Sequence, residues 1–148
     1  MKKINFYKVG FIGKDRDGKP YPRHELGCGY LAQGRNGIIY GIERKERGVY
    51  RLTEIVSGLS AGEFTGTKDE ARNYAETIDI YRVLRNVYAK HYESPAFRAF
   101  LADRMGEDPG EDFFSILAAG ADEDFSAAYA MAAAKLIQRG KPRKGGDV

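Results

Sequence analysis

Apolar and polar residues alternate in short runs over the first half of the chain, and turn-forming residues separate these runs. Alternation with a period of two is typical of strands that bury one face. Because the predicted connections are short, we expect an antiparallel meander. The five predicted strands are Ile4–Ile12, His24–Gln33, Ile38–Arg44, Val49–Val56 and Ser60–Phe64.

Glycine and proline mark the breaks between these runs. The segment Gly13–Arg23 contains two prolines, which cannot donate to a strand ladder, and it predicts a polar, basic loop. The pair Asn36-Gly37 is typical of a tight hairpin turn. Inside the second strand, Gly27 and Gly29 indicate a bulge or the close approach of another backbone.

The period of the pattern changes at Thr67. The spacing of Thr67 and Glu70 fits a capping box, in which each residue bonds to the backbone N–H of the other. Apolar residues then recur at helical spacing from Ala71 to Tyr88. We therefore predict one long helix, from Thr67 to near His91, that covers the apolar face of the sheet.

Three shorter helices are predicted after this one. Ser94-Pro95 is a typical helix start, and Gly106 opens a linker. The three helices are Ala96–Met105, Glu111–Ala119 and Asp122–Gln138. The predicted fold class is therefore α+β, with a single domain over residues 1–140 and a flexible basic tail over residues 141–148. The part after Gly106 either belongs to this domain or forms a semi-independent helical hairpin.

Composition agrees with one globular domain, because 148 residues with 43% hydrophobic and 30% charged side chains can bury a core. The single cysteine, Cys28, excludes a disulfide framework. The first residues lack an apolar stretch long enough for a signal peptide, and no run is long enough to span a membrane. We expect a cytoplasmic protein with no membrane association.

Charge divides the chain into unlike parts. Residues 1–68 carry a net charge of +6, residues 69–134 carry −7, and residues 135–148 carry +4. The basic and acidic parts either attract each other within one fold or present two faces to different partners.

Few residues in the sequence are suited to catalysis or to metal binding. His24, Cys28 and His91 are the residues best suited to a metal or a nucleophile, but the first two lie about 13 Å apart along a predicted strand. No nucleophile, base and orienting group can be placed together from the sequence. We predict a non-catalytic protein with no catalytic residue, no cofactor and no metal site.

Basic residues on and beside the third and fourth strands suggest a nucleic-acid-binding sheet face. Tyrosines are interleaved with them, and such a surface binds phosphates electrostatically and stacks bases. The tyrosines also suit the interior of the sheet. The predicted phosphate-contacting residues are Arg35, Arg44, Lys45, Arg47 and Arg51, and the interleaved tyrosines are Tyr21, Tyr30, Tyr40 and Tyr50.

Acidic residues between the predicted helices support an alternative function. A cluster of carboxylates there suits a protein-interaction or inhibitor role with a basic protein partner. The predicted protein-binding residues are Glu107, Asp108, Glu111 and Asp112.

The segment Tyr50–Ala71 carries a resemblance to known domains. It contains an aromatic strand, Thr-Glu-Ile-Val-Ser-Gly-Leu, a short strand, and Thr-Lys-Asp-Glu-Ala opening a helix. This succession resembles small accessory domains of phage and conjugative elements, of the kind attached to large polyvalent proteins. The junction at Thr67–Ala71 is also similar to the arm-type DNA-binding domains of tyrosine recombinases, in which a three-stranded sheet precedes the helix. The resemblance implies a mobile genetic element and nucleic-acid binding.

Overall fold

A computed structural model describes residues 3–14 and 20–140 of the chain. In these residues, five antiparallel strands form one sheet in the order β1-β2-β3-β4-β5 and are followed by five helices. The predicted α+β class and the antiparallel meander are confirmed. The strands are β1 (Lys3–Lys14), β2 (Pro20–Gln33), β3 (Ile39–Glu46), β4 (Val49–Glu54) and β5 (Ser60–Thr65).

The first hairpin is longer than predicted. The loop predicted over Gly13–Arg23 is wrong at both ends, because β1 continues to Lys14 and β2 begins at Pro20. Strand β3 pairs with β2 only from Tyr30 onward, so the beginning of β2 is paired on one side alone. A proline whose missing N–H faces such an open edge removes no ladder hydrogen bond. Residues 15–19 lie outside the described part of the chain.

The turns between the later strands follow their sequence signals. Asn36 and Gly37 both have left-handed backbone angles, with φ of 59° and 76°, in a 3-10 turn at Arg35–Gly37. This turn closes the β2–β3 hairpin, as predicted from the dipeptide. Gly48, with φ of 75°, closes the next hairpin.

The helix predicted from Thr67 is two helices, α1 (Lys68–Thr77) and α2 (Tyr81–His91). The capping box at its start is confirmed, because Thr67 Oγ1 accepts from the Glu70 N–H at 3.1 Å and the Glu70 carboxylate accepts from the Thr67 N–H at 3.0 Å. The single long helix is wrong because the chain is extended at Ile78. Asp79 Oδ1 then accepts from the Tyr81 N–H at 3.1 Å and starts the second helix.

The remaining helices are α3 (Pro95–Met105), α4 (Glu111–Ala119) and α5 (Asp122–Gly140). Ser94 Oγ caps α3 by accepting from the Phe97 N–H at 3.3 Å, and Gly106 ends that helix in the left-handed conformation. Their bounds agree closely with the prediction. The predicted tail over residues 141–148 lies outside the described residues.

The larger of the two buried clusters joins one face of the sheet to the five helices. Tyr40, Ile42 and Leu52 supply the sheet side, and α1 covers them with Ala71 and Ala75. Residues from α2, α3, α4 and α5 complete the same cluster. The helices after Gly106 therefore share their core with the sheet.

The smaller cluster lies on the opposite face of the sheet and contains Ile4, Phe6 and Ile55. Leu136 and Ile137, near the end of α5, pack against it. Helix α5 thus contributes to both clusters and contacts both the 3-10 turn and β1.

Glycines make room where the strands approach closely. A β-carbon on Gly29 would fall 2.0 Å from the carbonyl oxygen of Ile42, and one on Gly41 would fall 2.6 Å from the ring of Phe6. The close approach of another backbone predicted at Gly29 is therefore present. At Gly41, the missing side chain leaves space for an aromatic ring instead.

One carboxylate is buried inside this core. Glu54, at the end of β4, is only 1% exposed. It accepts from the hydroxyls of Tyr88 on α2 and Tyr129 on α5, both at 2.7 Å. The backbone N–H groups of Val56 and Ser57 donate to it at 2.5 and 3.0 Å. These four donors replace the water that the charge would lose on burial.

The tyrosines around Glu54 differ in their hydrogen bonding. Burial, and then the charge of Glu54, hold the pKa of Tyr88 and of Tyr129 well above the ordinary value. The same two causes raise the pKa of Tyr40 from 10.0 to about 12. In the described part of the chain, however, the buried Tyr40 hydroxyl has no hydrogen-bond partner.

Candidate nucleic-acid interface

A groove of about 350 Å³ lies between the start of α1 and strands β1 to β4. Its lining contains three cationic residues, two tyrosines and one carboxylate, together with three uncharged residues. The full lining is Lys3, Cys28, Gly29, Tyr30, Ile42, Glu43, Arg44, Tyr50 and Lys68.

The strand register explains why the cationic and aromatic residues of the strands share one face. Lys3 lies opposite Tyr30, Tyr30 opposite Ile42, and Arg44 opposite Tyr50. Directly opposed residues of antiparallel strands point to the same face, and so do residues two apart such as Ile42 and Arg44. Helix α1 covers the rest of this face and leaves the groove beside its first turn.

The lining changes from apolar to cationic as exposure increases. Ile42 is fully buried, and Gly29 beside it is also buried. Tyr30 and Tyr50 are half-buried, whereas the charged residues Lys3 and Arg44 are exposed. The groove therefore offers a ligand a floor of partly exposed tyrosine rings, with Ile42 buried beneath them, and a positively charged outer part.

Lys68 is held over an aromatic ring. It is the first residue of α1, where a cation is opposed by the positive end of the helix dipole. Its ammonium lies 4.5 Å from the centroid of Tyr30, and this cation–π contact directs the charge into the groove.

The groove cations are not neutralised. Across the described residues, none of Lys3, Arg44 and Lys68 forms an ion pair. Glu43 also lines the groove, but its carboxylate bonds to Lys8 at 2.5 Å. Three cations and this one paired carboxylate leave the groove with a net positive charge that is available to an anionic ligand.

The structure does not bring the five predicted phosphate-contacting residues together. Arg44 lines the groove, and Arg47 is exposed in the turn that follows β3. Arg51 lies on the opposite face, in register between Glu43 and Glu63. Charge compensation makes that face a weaker anion site than the groove.

The remaining two members of that set are also separate from the groove. Lys45 bonds to Glu63 at 2.7 Å. Arg35 is exposed at the other end of β3, and the five residue steps from Ile39 to Arg44 correspond to roughly 17 Å.

The interleaved tyrosines serve two purposes. Tyr30 and Tyr50 line the groove, whereas Tyr40 fills the larger core cluster. The side chain of Tyr21 lies outside the described residues.

The acidic set is largely occupied within the chain. Glu107 pairs with Lys135, and Glu111 accepts from Tyr92 and Arg98. These hydrogen bonds, that of Arg98 foremost, lower the pKa of the Glu111 carboxyl below its ordinary value.

The other two acidic residues of the set contribute less to the packing. Asp108 Oδ1 accepts from the Gly110 N–H at 3.0 Å, and Asp112 is exposed in the first turn of α4. Two of the four residues, Glu107 and Glu111, therefore bond to side chains of other elements, and Asp108 bonds within its own loop.

The histidines and the cysteine lie apart. Cys28 is exposed beside the groove, and the ring of His91 lies 5.9 Å from that of Phe97. The side chain of His24 is outside the described residues. Within the part of the chain that the structure describes, no group of three or more His, Cys, Asp or Glu side chains is placed to hold a metal ion.

Sequence reasoning missed Lys3 and Lys68 as groove residues. Lys3 precedes the predicted first strand, and Lys68 was counted only as part of the capping box. A lysine at the first position of a helix opposes the helix dipole, and that conflict was the available signal for Lys68.

Comparison with protein-family models, curated protein sequences and solved structures gave no match for this chain. Among the described helices, none combines the length and the apolar character that crossing a membrane requires.

Proposed function

We propose that this chain is a nucleic-acid-binding protein, and that the groove between α1 and the sheet is its binding site. The observation that carries the proposal is that three cations converge on a groove lined by two tyrosines. These cations, Lys3, Arg44 and Lys68, form no ion pair with any described residue. Cations supply the affinity for phosphates, and tyrosine rings supply a surface for bases.

The position of Lys68 at the start of α1 also supports anion binding in the groove. A lysine at the start of α1 gains nothing from the helix dipole, and its charge has no carboxylate partner among the described residues. A phosphate in the groove would receive both this charge and the positive end of the helix dipole.

The test is the salt dependence of binding to labelled DNA and RNA, measured by fluorescence anisotropy. Three phosphate contacts predict that the logarithm of the binding constant falls against the logarithm of salt concentration with a slope of about −2 to −3. The double variant Arg44→Gln/Lys68→Gln should bind more weakly and flatten the slope by about 1.5.

A second double variant controls for net charge. Arg82 and Lys90 are exposed on α2, away from the groove, so Arg82→Gln/Lys90→Gln removes the same charge from another surface. We expect this variant to keep the parental slope. Equal losses in the two double variants, or no binding to DNA or RNA by the parent chain, would contradict the proposal.

A further inference from the structure

We propose that the groove receives one unpaired base of a single-stranded nucleic acid, stacked on Tyr50, with the flanking phosphates against Lys3 and Arg44. This inference rests on the proposed function and narrows its substrate class from nucleic acids in general to single strands.

The floor of the groove favours a flat ligand. The half-buried rings of Tyr30 and Tyr50 form this floor, because Ile42 and Gly29 beneath them are buried and out of a ligand's reach. A flat, largely apolar group is the complementary occupant of such a floor. The groove volume of about 350 Å³ is small for a ligand-binding pocket, and it suits a single nucleotide better than a larger molecule.

Single-stranded and double-stranded nucleic acids differ in whether they can place a base in the groove. A duplex keeps its bases stacked inside and presents phosphates and sugars along its backbone, so a duplex would engage Lys3 and Arg44 and leave the floor unfilled. A single strand can turn a base into the groove without breaking a base pair.

The two groove tyrosines, Tyr30 and Tyr50, differ in whether a cation lies over the ring. The Lys68 ammonium already lies over the ring of Tyr30. Among the described cation–π contacts, none involves Tyr50, whose strand partner Arg44 stands beside it in register. Of the two groove tyrosines, Tyr50 is therefore the one whose ring has no cation over it among the described contacts, and its half-buried ring is the one that we assign to stacking.

The experiment compares three labelled probes at one salt concentration: a single-stranded oligonucleotide, its duplex, and the same strand with abasic nucleotides. We expect the intact single strand to bind about tenfold more tightly than either of the other two, because stacking of one base is lost in both.

Variants of Tyr50 test the ring itself. Tyr50→Leu should weaken single-strand binding about tenfold and leave duplex binding unchanged, whereas Tyr50→Phe should retain the preference. Tyr74→Leu removes a ring outside the groove, which stacks on Phe64, and serves as the matched control. Thermal unfolding of each variant verifies that it is folded.

The two proposals fail in different ways. Equal affinity for the three probes, with salt-dependent binding retained, would overturn the single-strand inference and leave the proposed function standing. Unchanged single-strand affinity in folded Tyr50→Leu would overturn the role of its ring. Absence of binding to all three probes would overturn both proposals.

Discussion

At the residue scale, the carboxylate of Glu54 joins parts of the chain that are far apart in sequence. It lies on β4, and its hydroxyl donors come from α2 and α5, 34 and 75 residues further along. Among the described residues, hydrogen-bond donors and not a cation compensate this charge, so removing one donor leaves a buried anion less satisfied. Through these two hydroxyl groups, Glu54 links β4 to both α2 and α5.

Replacement of these hydroxyls should have opposite effects at different tyrosines. Tyr129→Phe removes a hydrogen bond to a charged group, so we expect the free energy of unfolding to fall by about 1.5–3 kcal/mol. Tyr40→Phe removes a buried hydroxyl without a partner among the described residues, and we expect an increase of about 1 kcal/mol. Urea unfolding measures both changes, and a loss of stability in Tyr40→Phe equal to that in Tyr129→Phe would contradict this account.

The sequence could not predict the burial of Glu54. Its alternation with Tyr50 and Leu52 places it on the inward face, but a glutamate near the end of a strand is usually solvated. The decisive partners, Tyr88 and Tyr129, are distant in sequence and show no local signal. Burial of this charge is therefore a property of the packed molecule.

At the element scale, local signals determined most helix bounds. The capping box at Thr67 and the N-cap at Ser94 each act within one turn, so both are visible in the sequence. The break between α1 and α2 was not visible, because Ile78 continues the helical spacing of apolar residues. At the break, Asp79 Oδ1 accepts from the Tyr81 N–H and lies 3.4 Å from the amide Nδ2 of Asn36, which is distant in sequence.

The cap of α1 provides a second test of stability. Thr67→Ala leaves the Glu70 N–H without its acceptor, so we expect the free energy of unfolding to fall by about 1 kcal/mol. Thr67→Ser retains the hydroxyl and should cost much less. Chemical denaturation of the three chains verifies the order, and equal stabilities would show that the capping box contributes little.

At the scale of the whole molecule, one face of the sheet carries cations that form no ion pair with the described residues, and the other face carries ion pairs. Arg44 and Arg51 are close in the sequence and both basic, yet the register places them on opposite faces. Composition alone predicted a basic sheet, but only the register and the position of α1 distinguish the two faces. For this reason Arg44 was a candidate from sequence, whereas Lys3 and Lys68 required the structure.

The core tyrosines predict how the whole molecule responds to alkaline pH. Burial raises the pKa of Tyr40 from 10.0 to about 12, and those of Tyr88 and Tyr129 well above the ordinary value. Since the unfolded chain ionises these groups more readily, the stability they contribute is complete below pH 10 and is lost as pH rises above it. We expect the free energy of unfolding to decline from about pH 10 upward, with tyrosinate absorbance rising on unfolding.

The matched control for this pH dependence is Tyr40→Phe, which removes one of the three tyrosines around Glu54 whose pKa is raised. Its stability should decline less steeply between pH 10 and 12 than that of the parent chain. Identical pH profiles would exclude Tyr40 as a contributor.

Helix α5 completes both buried clusters, and this has a consequence for synthesis on the ribosome. The sheet is made first, but its inward faces lack Phe125, Tyr129 and Leu136 until the last helix leaves the exit tunnel. Glu54 is likewise without its second hydroxyl donor during that interval. The nascent sheet must therefore remain loosely packed, and stable folding becomes a late step that follows translation of α5.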